Sequence, residues 1–220
     1  MEGRQILNNI IQTHEVVHSL KSNKQAGMII QLDLVKAYDK LSWSYIRAIL
    51  RAYGFDQNWI RWVMALVTTT SFSILLNGAP SRTFTPSRGL RQGDPLSLFL
   101  FVLMMEGLGR AFKMENVEGR IQGIKLTADG EANTHQQFVD DTMLQGLPIV
   151  KEASAYNQIL KEFSLATGME VNLCKSKILF LNTNIAIQRN ISKILGFQRD
   201  SLPTKYLGIP LIARPMHKSI

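Results

Sequence analysis

Apolar residues Ile6, Leu7, Ile10, Ile11 and Val17 recur at helical spacing, so Arg4 to Leu20 is predicted to form an amphipathic helix, which KSNKQAG breaks. The period then changes. MIIQLDL, Met28 to Leu34, is short, apolar and β-branched, a predicted strand that runs into the carboxylate of Asp33. Two helices are predicted next: Trp43 to Tyr53, stopped at Gly54, and one capped by Asp56 that carries Trp59, Val63, Leu66 and Val67 on its apolar face. SFSILLNGAPSRTF has the pattern of a hairpin turning at Asn77 and Gly78. After GLRQGDPLS a strongly apolar helix is predicted to about Met114, with Asp94 as its cap and Pro95 in its first turn. RIQGIKL is a strand candidate, and THQQFVDDTMLQG can fold back on itself with Asp140 and Asp141 at the tip. Glu152 to Thr167 is helical and ends at Gly168; KSKILFL is a strand, Ile185 to Leu195 a helix and KYLGIPL a short strand. Without repeats or a low-complexity linker, one compact mixed α/β unit is the economical expectation.

Against that pattern, QQFVDDTMLQG sets a problem, because adjacent carboxylates inside an apolar run need either solvent or a cation. If its strand neighbours the one ending at Asp33, then Asp33, Asp140 and Asp141 converge at one sheet edge, where hard divalent cations would neutralise them. Alternatively, the pair caps a hairpin turn. The residues alone leave both readings open. No Gly-rich phosphate cradle accompanies them.

Composition narrows the classes. With 45% hydrophobic and 19% charged residues, the 220-residue chain has the make-up of a globular protein and excludes disorder. The most apolar run, LFLFVLMM, falls short of the roughly 20 residues of a membrane helix, so no membrane association and no secretory signal are expected. The single cysteine, Cys174, excludes an internal disulfide framework. Of the net charge of +8, +7 lies between Cys174 and the end, where eight Lys and Arg face one acid, Asp200. Such a stripe suits a phosphate backbone, or it is a solvated basic surface. His14-Glu15-Val16-Val17-His18 also satisfies the H-E-x-x-H zinc-protease signature, but SLKSNK after it offers lysines in place of a third ligand.

Five segments taken in order decide among these. QLDLVKAYDKLSW, SRGLRQGDPLSLFLFVLMMEGL, QFVDDTML, GMEVNLCKSKILF and KYLGIPL resemble the successive motifs of reverse transcriptases of non-long-terminal-repeat (LINE-like) retrotransposons, those of plants above all. The resemblance implies a polymerase palm with an antiparallel sheet and split βαβ connections, plus helical partial fingers. Residues 1–27 and about 40–90 would be fingers-related, 28–39 and 91–182 mainly palm, and 183–220 the end of the palm. An endonuclease domain and a thumb are not expected within the 220 residues.

By the same resemblance the activity is RNA-directed DNA synthesis. Asp33, Asp140 and Asp141 are the catalytic, metal-binding triad for two Mg²⁺ ions, with Mn²⁺ as a substitute. Tyr38 would select deoxynucleotides, Arg91, Gln92 and Gly93 would contact the incoming nucleotide, and Lys175 would stand near the leaving pyrophosphate. Tyr206, Leu207 and Gly208 match a primer-holding hairpin. The implied partners are an RNA template, a DNA primer and dNTPs, at an intracellular, nuclear place of action. An inactive nucleic-acid-binding relic is the alternative. The chain departs from the family's pattern at Leu98, usually proline, and at Val139, more often alanine.

Overall fold

The computed structural model describes residues 6–127 and 130–212. The predicted helix start at Arg4, and Arg214 and Lys218 of the basic tail, lie outside the described residues. In chain order, α1 (Ile6–Ser22) is followed by β1 (Gly27–Leu32), β2 (Leu34–Val35) and the single turn α2 (Ala37–Lys40). The helices α3 (Trp43–Ala52) and α4 (Gln57–Thr68) lead to the hairpin β3 (Leu75–Leu76) and β4 (Ala79–Pro80), and then to α5 (Pro95–Val117). A second hairpin, β5 (His135–Phe138) and β6 (Asp141–Gly146), precedes α6 (Val150–Thr167), β7 (Glu170–Val171) and β8 (Lys177–Leu181). The chain continues through α7 (Ile185–Leu195) and β9 (Gln198–Asp200) to a last hairpin, β10 (Thr204–Tyr206) and β11 (Ile209–Leu211).

These elements form two compact units. The first takes the described residues of Met1–Asp33, Leu108–Lys161 and Val171–Ile220. Its five-stranded sheet has the order β5-β6-β1-β8-β9, antiparallel except for the parallel pair β8 and β9. Since β6 and β8 both run antiparallel to β1, they are parallel to each other with β1 between them, so β6-α6-β8 is the split βαβ connection expected. Met28, Ile29, Ile30 and Leu32 are buried, with only Gln31 half-buried among them, as a central strand covered on both faces requires. One face, through Ile29, Met143, Leu179 and Leu181, shares a core with Ile10, Val16, Val17 and Leu20 of α1 and with Tyr206 and Leu211 of the last hairpin.

The second unit is Leu34–Gly107 with Glu162–Glu170. Here α4 starts as expected: the Asp56 carboxylate accepts from the Asn58 and Trp59 amides. Its buried face, however, is Ile60, Val63, Met64 and Val67, with Leu66 64% exposed. Trp59 to Val67 is apolar on every side but Arg61, so periodicity could not fix which side faces inward. Asn77 (φ 49°) and Gly78 (φ 83°) make the predicted turn.

Two further expectations change. RIQGIKL forms no strand, only an isolated bridge between Ile124 and Asn133, because the Gln122 amide is taken by a side chain instead of a ladder. KYLGIPL is a hairpin and not one strand, since Leu207 (φ 49°) and Gly208 (φ 80°) reverse the chain. Among the described residues α5 is long and apolar enough to cross a membrane, which the shorter apolar run did not suggest. Leu100, Phe101, Met104, Leu108 and Phe112 are nonetheless buried within the protein, as in a core helix.

The side chain that takes the Gln122 amide is Glu152, a fully buried carboxylate in the first turn of α6. Its oxygens accept from Gln122 (2.9 Å) and from Leu147 (3.0 Å), just past the end of β6. One turn on, the Tyr156 hydroxyl donates to the Gln145 carbonyl at 2.7 Å. Gly146 makes room for both: a Cβ there would collide with Glu152 Oε2 and sit 2.8 Å from the Tyr156 hydroxyl. Burial outweighs the amide donors and pushes the Glu152 pKa from 4.5 up to about 7. Between these two values the folded chain holds a proton that the unfolded chain has released, so stability falls as pH rises. Wild type is therefore expected to lose on the order of 3 kcal/mol of unfolding free energy from pH 4.5 to 7 relative to Glu152→Gln. Urea titrations at several pH values check this; parallel curves for the two proteins would refute it.

Candidate active site

Asp33 directly follows β1, and the register that pairs Leu32 with Thr142 brings it opposite Asp141, one step beyond the last pair. Its backbone is tied on the other side: its amide donates to Ser176 Oγ (3.1 Å) and its carbonyl accepts from Asn172 (2.8 Å). The same Asn172 closes a tight turn, its Oδ1 accepting from the Cys174 and Lys175 amides. Lys175 thus stands, exposed, on the turn that anchors Asp33. Asn172 and Ser176 were not singled out from the sequence, although an Asn two residues before Cys174 is an ordinary sign of such a turn.

Asp140 and Asp141 close the β5-β6 hairpin. Phe138 pairs with Asp141, leaving Val139 and Asp140 as the loop, so Asp141 is the first residue of β6 and Asp140 the tip. Val139 has a φ of 56°, which a β-branched side chain rarely adopts and which costs on the order of 1–3 kcal/mol. Both aspartates reach solvent. The pKa of Asp141 is nevertheless raised, first by partial burial and then by the negative charges of Asp140 and Asp33. Asp141 therefore lies near enough to both other carboxylates to feel their charge.

Among the described residues no group of three or more His, Cys, Asp or Glu side chains forms a ready-made metal cage. A magnesium ion needs less than a cage: one or two carboxylates, with substrate phosphates and water completing an octahedron. Mutually repelling aspartates at a solvent-open strand end fit that demand. The H-E-x-x-H segment does not make a competing site. His14 is buried, while Glu15 and His18 are exposed and His18 hydrogen-bonds Ser22.

Tyr206 also reaches this region. It is 1% exposed, and burial, then the charge of Asp141, push its hydroxyl up to about 12, with Asn9 alongside. Leu207 is half-buried and Gly208 exposed at the tip of the same hairpin.

The remaining expected site residues lie in the second unit. The Tyr38 ring is half-buried and stacks on Phe101, with centroids 4.2 Å apart and planes at 11°. Its carbonyl accepts from Leu90 at 2.7 Å, so the loop of residues 88–93 runs beside it. Gly89 in this loop is packed closely, with φ 91° and a would-be Cβ 2.7 Å from the Asp39 carbonyl. Gly93 (φ 84°) has open space around it, and Arg91 and Gln92 are exposed. Arg91 lies 4.0 Å from Asp94, which also accepts from the Ser97 hydroxyl at the start of α5.

Comparison with known proteins fits this geometry. Residues 1–211 match the reverse transcriptase (RNA-dependent DNA polymerase) family. A mitochondrial protein of Arabidopsis thaliana is 36% identical over 110 residues, which is 50% of this chain and 88% of that protein. The Pol polyprotein of the retrotransposable element R2DM of Drosophila melanogaster is 40% identical over 87 residues, 40% of this chain and 8% of the polyprotein. The fold is shared with telomerase of Candida albicans, solved in complex with a telomeric RNA fragment (TM-score 0.63, 13% identity, 94% of this chain and 32% of that one). Telomerase of Candida tropicalis, in its apo form, is similar at a TM-score of 0.59 and 14% identity, over 81% and 36% of the two chains. The chain thus spans a small part of the retrotransposon polyprotein and about a third of each telomerase. With its match extending over nearly all 220 residues and its aspartates gathered at one end of the sheet, the chain belongs to the reverse transcriptase family.

Proposed function

We propose that this chain is the catalytic part of a retrotransposon polymerase that extends a DNA primer on an RNA template. The observation that carries the reading is the gathering of Asp33, Asp140 and Asp141 at the paired ends of β1 and β6, where partial burial and then the charges of Asp140 and Asp33 raise the Asp141 pKa. In the proposed reaction the primer 3′-hydroxyl forms a bond to the α-phosphorus of a dNTP while the bond to pyrophosphate breaks. Two bound magnesium ions, or manganese in their place, would supply the charge neutralisation that this in-line displacement needs. Asp33 and Asp140, with Asp141 beside them, would hold those ions. Lys175, exposed on the turn that ties Asp33, is suited to protonate the departing pyrophosphate.

Tyr38, held flat against Phe101, is proposed to exclude a 2′-hydroxyl, with Arg91, Gln92 and Gly93 contacting the nucleotide. The β10-β11 hairpin is proposed to steady the primer through the backbone at Leu207 and Gly208. Tyr206 supports it from the core.

Three measurements test the reading. Primer extension on an RNA template should require magnesium and should vanish in Asp140→Ala and Asp141→Ala that fold as wild type; extension surviving in Asp140→Ala would sink the two-metal reading. Replacing Tyr38 by Val should raise incorporation of ribonucleotides relative to deoxynucleotides, and an unchanged ratio would leave the ring a packing residue only. Neutralising Lys193, Arg199, Lys205 and Arg214 together should flatten the dependence of primer–template binding on salt, by about 0.7–0.9 in logarithmic slope for each phosphate left without its cation. A slope that does not move would return the basic tail to a solvated surface.

A further inference from the structure

We infer that the groove between α3 and α4 is a second binding site, for two consecutive phosphates of a single nucleic-acid strand. The groove has a volume of about 420 Å³ and is lined by Trp43, Arg47, Ala48 and Arg51 of α3 and by Met64 and Thr68 of α4. Ser44, Arg47, Ala48 and Arg51 form one exposed stripe at helical spacing, so two guanidiniums stand one turn apart with only small side chains between them.

Their charge is not used within the protein. Neither Arg47 nor Arg51 makes an ion pair or a side-chain hydrogen bond among the described residues. Neither helix contains an acidic residue, and Asp56, between them, is occupied in capping α4. Two aligned guanidiniums match phosphate oxygens, and their spacing, on the order of 6 Å between Cβ atoms, suits successive phosphates of one strand.

The floor favours a nucleic acid over a free anion. Trp43 is fixed by its indole N–H, which donates to the Gly89 carbonyl at 2.8 Å, and it remains only half-buried. Trp43 lies one turn before Arg47, and Ala48 between the two arginines, so the groove has an apolar wall beside its charges against which the sugar or base joining two phosphates would rest. No residue assigned to the polymerase reaction lies in the groove.

This inference rests on the reading of the chain as a nucleic-acid-binding polymerase, and the test separates the two. Fluorescein-labelled oligouridylate is titrated with the full chain at several salt concentrations. Arg47→Ala/Arg51→Ala is expected to weaken binding and to reduce the salt slope by about 1.4, at about 0.7 per single-strand phosphate. Arg47→Lys/Arg51→Lys should keep most of the slope, and Ala48→Trp, which fills the groove without changing charge, should weaken binding as well. If wild type binds and the double alanine variant keeps its slope, or Ala48→Trp binds as wild type, the groove is not a site. If wild type fails to bind, both the groove and the nucleic-acid reading fall.

Discussion

The charges of Asp33 and Asp140 acting on Asp141 set the constraint that the scaffold of the first unit has to meet at this end of its sheet. Asp33, Asp140 and Asp141 bear like charges at the end of a sheet, and none of them forms an ion pair among the described residues. Left to itself such a cluster would fray the strand ends, because each charge gains by moving away from the others. A divalent cation placed among them would reverse the sign of the interaction. The apoprotein must hold the geometry without that help, so the scaffold has to work against the charges.

It does so with interactions that are not themselves charged at the site. β1 is buried along its length and hydrogen-bonded on both sides, which fixes where Asp33 emerges. Ser176 and Asn172 then hold the Asp33 backbone from the β8 side. At the far end of β6, Glu152 and Tyr156 grip Leu147 and Gln145 through the gap that Gly146 leaves. The β5-β6 hairpin is thus restrained at both ends of its inner strand, while its tip carries strain at Val139. That strain persists because the neighbouring pairs, Phe138 with Asp141 and Gln137 with Thr142, over-determine the turn.

The gathering of the three aspartates was legible before the fold because they sit in short motifs at strand ends, where an acid in an apolar run is conspicuous. The β5-β6 hairpin, the start of α4 and the helix Ile185–Leu195 were also readable, each from a turn or cap with its own residue signature. What escaped depends on which face a segment buries or on partners far along the chain. Leu66 and Met64 differ in burial for reasons that lie in α3 and the rest of the second unit. Glu152 looks in sequence like any acid in a first helical turn, and only the fold shows it accepting from Gln122, 30 residues away. The tight packing of Gly89 against the Asp39 carbonyl likewise depends on a contact 50 residues away that SRGLRQGDP does not show.

Tyr206 shows how the two levels combine. Motif order alone marks it as part of a primer-holding hairpin, whereas its burial makes it a core residue beside Ile10, Val17 and Leu211. These roles are compatible because the hairpin presents backbone and tip outward while its first strand ends inward. Burial makes a phenolate beside Asp141 unfavourable, so the hydroxyl stays protonated and adds no negative charge to a cluster that already has too much. A carboxylate in the same place would deepen the repulsion, and an aliphatic side chain would surrender the hydroxyl beside Asn9. A neutral phenol that fills the core and leaves the local charge unchanged satisfies both the packing and the electrostatics of the aspartate cluster.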